Sequence, residues 1–170
     1  MGKLNEHELD DIAQLLANKA IQSGTVLATA ESCTGGWVAK VLTDISGSSA
    51  WFDRGFVTYS NQAKNEMLGV SLTTLDSIGA VSQETVEAMA QGALQNSNAN
   101  LSVAISGIAG PGGGTKEKPV GLVWFAWATS KSTDRTQTKV FSESQQFNGD
   151  RIAVRCQAVG HALQGFLKRI

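Results

Sequence analysis

The stretch Thr25-Val-Leu-Ala-Thr-Ala30, continued by Glu31-Ser-Cys-Thr-Gly-Gly36, indicates how this chain folds. Its first half is short, rich in β-branched residues and uncharged, which is typical of a strand buried inside a sheet. Apolar residues at helical spacing follow the two glycines, from Trp37 to Ile45, and Gly47 ends that pattern. The segment therefore predicts a strand, a tight turn and a helix in direct succession.

The same two periodicities recur along the rest of the chain and predict the other elements. Helices are expected near residues 9–20, 61–69, 82–96 and 148–166, and strands at 52–59, 101–106, 121–129 and 136–141, with the last two strands joined as a hairpin through 130–134. We expect Asn61 to cap the helix that it begins. The core stripe of the last helix is expected to consist of Ile152, Cys156, Val159, Leu163 and Phe166.

This order of elements predicts an α/β fold. Strands alternate with helices except at the hairpin, so helices should cover both faces of a mixed sheet of about five strands. No composition shift, repeat or linker interrupts the chain, and residues 1–170 are interpreted as one domain.

Composition excludes several classes of protein. The formal net charge is −1, whereas proteins that bind nucleic acids or membrane surfaces usually carry a basic excess. No apolar run approaches the roughly 20 residues that span a bilayer, and the polar N-terminus resembles no signal peptide. Cys33 and Cys156 form no metal or disulfide spacing. These features predict a cytoplasmic protein without nucleic-acid or membrane partners.

The turn after the predicted strand is the main candidate for a functional site. A helix that begins directly after a strand presents unpaired N–H groups and a positive dipole end, which favour an anion. Gly35 and Gly36 allow close approach to the backbone, and Ser32, Cys33 and Thr34 supply three nucleophiles or donors. The alternative is that Ser32 or Thr34 caps the helix, as these residue types often do.

A serine–histidine–aspartate triad does not fit this sequence. The two histidines, His7 and His161, lie in a polar helix and beside the C-terminal core stripe, where structural or surface roles are expected. If Ser32 is a nucleophile, a buried lysine with a lowered pKa can serve as its base. Lys64 is the candidate because it follows a strand end that carries Tyr59, although a lone lysine on a short helix is more commonly a solvated charge.

Two further segments suggest a place for an anion. The loop Gly107-Ile-Ala-Gly-Pro-Gly-Gly-Gly114 leaves a strand and can form an anion-binding nest, or can be a flexible connector. It lacks the Gly-Lys-Ser/Thr of a P-loop and leads into a strand rather than a helix. Arg151 and Arg155 share one face at the start of the last helix, where they oppose the helix dipole. A bound phosphate would remove that conflict, and pairing with Asp150 or Glu143 is the alternative.

Five ordered motifs resemble those of the CinA C-terminal-domain family, and the resemblance covers nearly the whole chain. They are Thr29-Ala-Glu-Ser-Cys-Thr-Gly-Gly36, Tyr59-Ser-Asn-Gln-Ala-Lys64 with Leu68-Gly-Val70, Gly79-Ala-Val-Ser82, Ser106-Gly-Ile-Ala-Gly-Pro111 with Lys118-Pro-Val-Gly121, and Gly149-Asp-Arg-Ile-Ala-Val-Arg155. No second domain is visible, so the chain resembles the stand-alone form of the family.

The resemblance implies hydrolysis of nicotinamide mononucleotide to nicotinate mononucleotide and ammonia, in pyridine-nucleotide recycling. It also implies a three-layer α/β/α fold like that of anticodon-binding domains, usually as a homodimer. The family's serine, tyrosine and lysine fall on Ser32, Tyr59 and Lys64. Backbone N–H groups in the turn Cys33, Thr34, Gly35 and Gly36 would bind the oxyanion.

In the same reading, the nucleotide phosphate would be bound by Gly107, Gly110, Gly112, Gly113, Arg151 and Arg155, and neither a metal nor a cofactor is required. Cys33 is the rival nucleophile, since a thiol near a helix N-terminus is acidified. Two other functions stay open: a non-catalytic nucleotide- or partner-binding module linked to competence or DNA repair, and an amidase for a related amide.

Overall fold

A computed structural model describes residues 6–130, 135 and 137–170, which form one mixed sheet with helices on both faces. In chain order the strands are β1 (Leu27–Glu31), β2 (Phe52–Val57), β3 (Leu101–Gly107), β4 (Leu122–Thr129) and β5 (Lys139–Gln146). The helices are α1 (Glu6–Ser23), α2 (Trp37–Thr43), α3 (Asn61–Leu68), α4 (Leu72–Ser77), α5 (Gln83–Gln95) and α6 (Arg151–Leu167), with a 3₁₀ helix at Ser48–Ala50.

The spatial order of the strands is β2-β1-β3-β4-β5. The strand β1 pairs in parallel with both neighbours, whereas β4 is antiparallel to β3 and β5. Helices α1, α2 and α6 cover one face, and α3, α4 and α5 cover the other. This arrangement confirms the prediction of an α/β fold with a mixed five-stranded sheet.

The uncharged sequence of β1 is explained by its position. All five of its residues are buried, because the strand lies inside the sheet and helices cover it from both sides. Its carboxyl end lies beside that of β3, since the two strands run in the same direction and the N–H of Ser32 donates to the carbonyl of Ile105 at 2.9 Å. The turn at residues 32–36, which we name the reactive turn, therefore leaves the sheet at the edge where β3 also ends.

Several expected boundaries were wrong. The short helix α4 was missed because it is polar and buries just Leu75 among its own residues. Ser60, not Asn61, caps α3: its hydroxyl accepts the N–H of Ala63 at 3.0 Å. Ile152 is 67% exposed because it lies in the first turn of α6, ahead of the buried face that begins at Val154.

The last strand also differs from its prediction. It occupies Lys139–Gln146 rather than 136–141, because its polar second half pairs with β4 at the edge of the sheet. Thr136, where the prediction began, and residues 131–134 of the predicted hairpin connection lie outside the described residues. Across the described ranges, none of the helices has the length and apolarity needed to cross a membrane.

Candidate active site

The side chains of neighbouring residues at the end of β1 lie on opposite faces of the sheet. Alternation along the strand directs Glu31 toward α2 and Ser32 toward α3. The buried Glu31 carboxylate accepts three backbone N–H groups at the start of α2, from Gly36 and Val38 at 3.0 Å and from Ala39 at 2.8 Å. The chain's own carboxylate thus occupies the position where the sequence predicted an external anion.

The capping interpretation of the turn was also wrong. The residue that caps α2 is Gly36, with φ of 91° and no side-chain cap. The hydroxyl of Thr34 is buried and has no hydrogen-bond partner within the described ranges. The N–H of Gly35 donates to the carbonyl of Ser32 at 3.1 Å. The N–H groups of Cys33 and Thr34 donate to no backbone carbonyl in the described structure, although the N–H of Cys33 contacts its own thiol.

Ser32 and Lys64 lie in direct contact, although 32 positions separate them in the sequence. The distance from Lys64 Nζ to Ser32 Oγ is 3.1 Å, and Nζ also donates to the carbonyl of Thr58 at 2.8 Å. Lys64 is 1% exposed, whereas Ser32 is half-buried and so remains accessible. Helix α3 therefore inserts a lysine under the reactive turn, next to a hydroxyl that solvent can reach.

Burial lowers the pKa of Lys64, because the ammonium form loses its hydration inside the protein. A thiolate at Cys33 would act in the opposite direction, but the Cys33 thiol stays protonated near neutral pH. In the described part of the chain, no carboxylate lies within salt-bridge distance of Lys64. These surroundings favour the neutral amine, which has a lone pair to accept a proton from Ser32.

Cys33 has the environment of a core residue. It is 7% exposed and belongs to the hydrophobic cluster between the sheet and helices α1, α2 and α6. Burial raises the pKa of its thiol to about 12. The predicted acidification by a helix N-terminus does not occur, since Glu31 already occupies that end of α2.

Tyr59 and Arg151 form a second polar group, in which Tyr59 directly follows Thr58 and Arg151 lies one helical turn before Arg155. Tyr59 is 63% exposed, and its hydroxyl accepts a hydrogen bond from Arg151 Nη2 at 3.0 Å. Arg151 Nη1 donates to the carbonyl of Gly110 at 2.8 Å. One guanidinium thus joins the start of α6, the end of β2 and the glycine loop, and it leaves positive charge at an exposed position.

Arg155 has a different set of partners. Its Nε donates to the carbonyl of Cys33 at 3.1 Å, and its Nη2 donates to that of Thr34 at 2.8 Å. The guanidinium also lies 5.3 Å from the ring centre of Trp37, within the range of a cation–π contact. Arg155 therefore braces the reactive turn from α6, and two of its donors are already in use.

Neither arginine pairs with the carboxylates that the sequence offered. Asp150 caps α6, where its Oδ1 accepts the N–H of Ala153 at 2.8 Å. Glu143 lies 2.8 Å from His161 Nε2. His161 also packs against Phe125 beside the core, which confirms that it is a structural histidine.

The glycine loop follows β3 and lies beside the arginine group. Gly107 is the last residue of β3, and Gly110 and Gly113 have positive φ values of 83° and 85°. Gly110 contacts Arg151, as described above. Gly112 is exposed, and no contact within the described ranges joins Gly112 or Gly113 to Ser32, Tyr59 or either arginine.

Sequence reasoning missed two contributions to this site, the Glu31 carboxylate and the Thr58 carbonyl, and it assigned no role to Ser106 on the same edge of the sheet. Ser106 is 1% exposed and lies near the end of β3, on the face that carries Ser32. Alternation could have found Glu31, because a carboxylate at the end of a buried strand needs N–H partners and the next helix supplies them. A backbone carbonyl such as that of Thr58 leaves no signal in the sequence.

The fold and the position of Ser32 and Lys64 define a class: α/β proteins with candidate site residues at the carboxyl edge of the sheet, where open α/β sheets bind ligands. Within the described ranges, no three His, Cys, Asp or Glu side chains are grouped to hold a metal ion. The profile of the CinA C-terminal domain family matches residues 9–170, and the chain belongs to that family.

Individual relatives are similar over nearly their whole length. The nicotinamide-nucleotide amidohydrolase PncC of Escherichia coli K12 is 53% identical over 161 residues, which are 95% of this chain and 94% of that protein. The protein of the same name from Enterobacter agglomerans is 50% identical and covers 97% of both chains. The crystal structure of the competence/damage inducible protein CihA from Agrobacterium tumefaciens matches with a TM-score of 0.88 and 44% identity over 94% of each chain.

Proposed function

We propose that this protein is a nicotinamide-nucleotide amidase, which hydrolyses nicotinamide mononucleotide to nicotinate mononucleotide and ammonia. The observation that carries the proposal is the 53% identity to the E. coli amidohydrolase over 95% of this chain. The contact between Ser32 and Lys64 supports it, because a serine beside a lysine whose pKa is lowered by burial is equipped for acyl transfer.

Acylation begins with Lys64 as the base. The neutral amine takes the proton of Ser32 Oγ while Oγ forms a bond to the carboxamide carbon, and the carbonyl oxygen becomes an oxyanion. The N–H groups of Cys33 and Thr34 are the proposed donors for this charge, and one strong donor of this kind contributes roughly 3–4 kcal/mol to transition-state binding. Lys64 then returns the proton to the leaving nitrogen, the carbon–nitrogen bond breaks, and ammonia departs.

Deacylation uses the same groups in reverse. Water attacks the ester carbon and gives a proton to Lys64, the bond to Ser32 Oγ breaks, and the proton returns to Oγ. The net change consumes one amide and one water, and it produces one carboxylic acid and one ammonia. Tyr59 directly follows Thr58, whose carbonyl accepts from Lys64, and its exposed hydroxyl is the group proposed to assist proton transfer to the leaving group.

The exposed Arg151 is the proposed ligand of the nucleotide phosphate. It carries a permanent positive charge beside Gly110, and the loop from Gly107 through Gly112 and Gly113 provides backbone that an anion can approach closely. Gly35 and Gly36 shape the turn through their positive φ values of 61° and 91°. Arg155 acts instead through the turn that it braces.

The assembly and the location are part of the proposal. Resemblance to the family supports a homodimer, which light scattering on the purified protein would test. Cys33 and Cys156 form no disulfide with each other, which supports a reducing, cytoplasmic setting.

The decisive experiment follows ammonia release from nicotinamide mononucleotide. The wild-type protein should release ammonia, and Ser32→Ala should abolish release while it keeps the fold and the ability to bind the nucleotide. An active Ser32→Ala protein would overturn the serine mechanism. Nucleotide binding by the wild type without ammonia release would favour the non-catalytic module instead.

A further inference from the structure

A cavity of about 370 Å³ lies on the face of the sheet that carries Ser32, between β4 and the start of α5, and its lining includes neither Ser32 nor Lys64. Its lining includes Leu122 and Trp124 of β4, Ser82 and Glu84 at the start of α5, and Glu117 and Lys118 from the segment before β4. The volume suits part of a small ligand, and an apolar wall with a few polar groups is typical of ligand pockets.

Strand register places this cavity in line with the nucleophile. Ser106 of β3 pairs with Trp124 of β4, and Ser106 follows directly after the residue whose carbonyl accepts the N–H of Ser32. All three side chains lie on the α5 face, as the alternation on each strand requires. With neighbouring strands about 4.8 Å apart, Trp124 lies roughly 10 Å from Ser32 along the sheet edge.

We propose that Trp124 and its cavity receive the positively charged pyridinium ring of the substrate, and that Trp124 selects cationic, N-glycosylated nicotinamides over neutral ones. This inference rests on the proposed function. A nicotinamide nucleotide carries its carboxamide on a ring whose nitrogen bears a permanent positive charge. With the carboxamide at Ser32, the ring extends along the edge toward the indole, and a cation within about 6 Å of an indole centre is attracted to its face.

The charges around the cavity fit a cation better than a phosphate. Glu84 and Glu117 contribute two carboxylates to the lining, against one ammonium from Lys118. That ammonium donates to the carbonyl of Ile78 at 2.7 Å, so part of its hydrogen-bonding capacity is already in use. An anionic group would meet a net negative lining here, whereas Arg151 offers an exposed positive charge on the glycine-loop side of the site.

The test compares two ligands of nearly equal shape: nicotinamide mononucleotide and its reduced form, whose dihydropyridine ring is neutral. Calorimetry in the Ser32→Ala background measures binding without turnover. Trp124→Leu should weaken binding of the cationic nucleotide roughly tenfold, while binding of the reduced nucleotide changes much less. Trp124→Phe should lie between the two, since a phenyl face attracts cations more weakly than indole.

Phe141→Leu is the matched control, because it removes an aromatic ring that is 46% exposed on β5 and outside the cavity lining. It should change neither affinity. Equal losses for both ligands in Trp124→Leu, or no loss in either Trp124 variant, would overturn the inference. So would a Lys118→Gln variant that loses affinity for both nucleotides while Trp124→Leu keeps it, since the cavity would then bind phosphate.

These outcomes are separable from those of the proposed function. If the wild-type protein releases no ammonia but prefers the cationic nucleotide through Trp124, the amidase activity is contradicted and the role of Trp124 is supported. If the enzyme is active but its ligand preference does not depend on Trp124, the amidase activity is supported and the role of Trp124 is contradicted.

Discussion

The two faces of the sheet are packed in opposite ways. The face under α1, α2 and α6 carries large buried side chains, among them Leu27, Val103, Ile105, Phe125 and Trp127. The face under α3, α4 and α5 carries small ones at most alternating positions of the same strands, namely Ala28, Ala30, Ala104, Ala126 and Ala128, with Leu122 and Trp124 at the start of β4 as the exceptions. The first is called the aromatic face below, and the second the alanine face.

The difference separates structural support from chemistry. On the aromatic face, Phe125 stacks on Trp127 with ring centres 5.8 Å apart, which gives a rigid platform. On the alanine face, the absence of bulk lets α5 approach the strands closely enough for Ser102 Oγ to donate to the carbonyl of Ala90 at 2.7 Å. The same lack of bulk leaves room at the sheet edge for Lys64, Ser32 and the cavity.

Lys64→Met should remove the catalytic base of the alanine face while the protein stays folded. It has the largest expected effect on activity. Loss of the base should lower kcat by roughly 10²- to 10⁴-fold. The unfolding free energy should stay the same or rise, because methionine fills a similar volume and does not bury an amine, whose desolvation is costly. Ammonia release and urea unfolding measure the two quantities, and an active Lys64→Met protein would contradict this role.

The pH dependence provides a second readout of Lys64. Activity should rise as pH increases through its lowered pKa, since the neutral amine is the base. Between the lowered pKa of Lys64 in the folded state and its ordinary value of 10.5, the unfolded chain keeps a proton that the folded chain has released. The unfolding free energy should therefore also rise with pH in that range. Lys64→Met should remove this contribution to the slope, and an unchanged slope would argue against a lowered pKa.

The same substitution, glycine to alanine, can be made in a helix over each face of the sheet, and its effects on stability and kcat can then be compared. A Cβ on Gly92 of α5 would overlap the Leu68 carbonyl of α3, and a Cβ on Gly165 of α6 would overlap the Trp127 ring. Each alanine variant should lose about 2 kcal/mol of stability by overpacking. Gly92→Ala should also lower kcat, because it displaces the helix that carries Lys64, whereas folded Gly165→Ala should keep its kcat.

Gln91→Ala serves as the control for this pair, since Gln91 is exposed on α5 directly beside Gly92 and has no part in the proposed site. Thermal unfolding, with kcat measured well below each midpoint, separates the two effects. Equal kcat values in Gly92→Ala and Gly165→Ala would show that the close contact between α3 and α5 does not position the base.

The sequence predicts the framework better than the contacts. The buried strand at residues 25–30 and its turn could be predicted because strand burial and helix periodicity are local properties. The role of Arg155 could not, since its partners are the carbonyls of Cys33 and Thr34, more than 120 positions away. The burial of Cys33 likewise depends on α1 and α6 packing over it, which no local pattern encodes.

Arg155→Lys should weaken the contacts that hold the reactive turn, and it should not affect binding of the nucleotide phosphate. A lysine cannot reproduce the forked contact to two carbonyls, so the turn should lose some of its fixed geometry. We expect kcat to fall roughly tenfold with little change in KM. The matched control is Arg169→Lys, whose guanidinium lies 4.2 Å from the ring centre of Trp127 on the aromatic face and should leave kcat unchanged.

Measurements of kcat and KM also distinguish the proposed roles of Arg151 and Arg155 in α6. If Arg155 instead bound the nucleotide phosphate, Arg155→Lys would raise KM for nicotinamide mononucleotide and spare nicotinamide riboside, which lacks the phosphate. That pattern is expected for Arg151→Gln, because its charge lies exposed beside Gly110.

Cys33→Ala has the smallest expected effect, and it tests where the two faces divide. Ser32 and Cys33 are adjacent, yet the serine lies beside Lys64 on the alanine face and the thiol lies in the aromatic-face core. With its pKa raised to about 12, the thiol is almost wholly protonated at neutral pH and is a poor nucleophile. We therefore expect kcat to stay within about twofold, with a stability loss of about 1 kcal/mol for the small cavity. Iodoacetamide should inactivate the wild type no faster than Cys33→Ala; rapid inactivation that the substrate prevents would instead place the thiol, and not Ser32, at the reacting carbon.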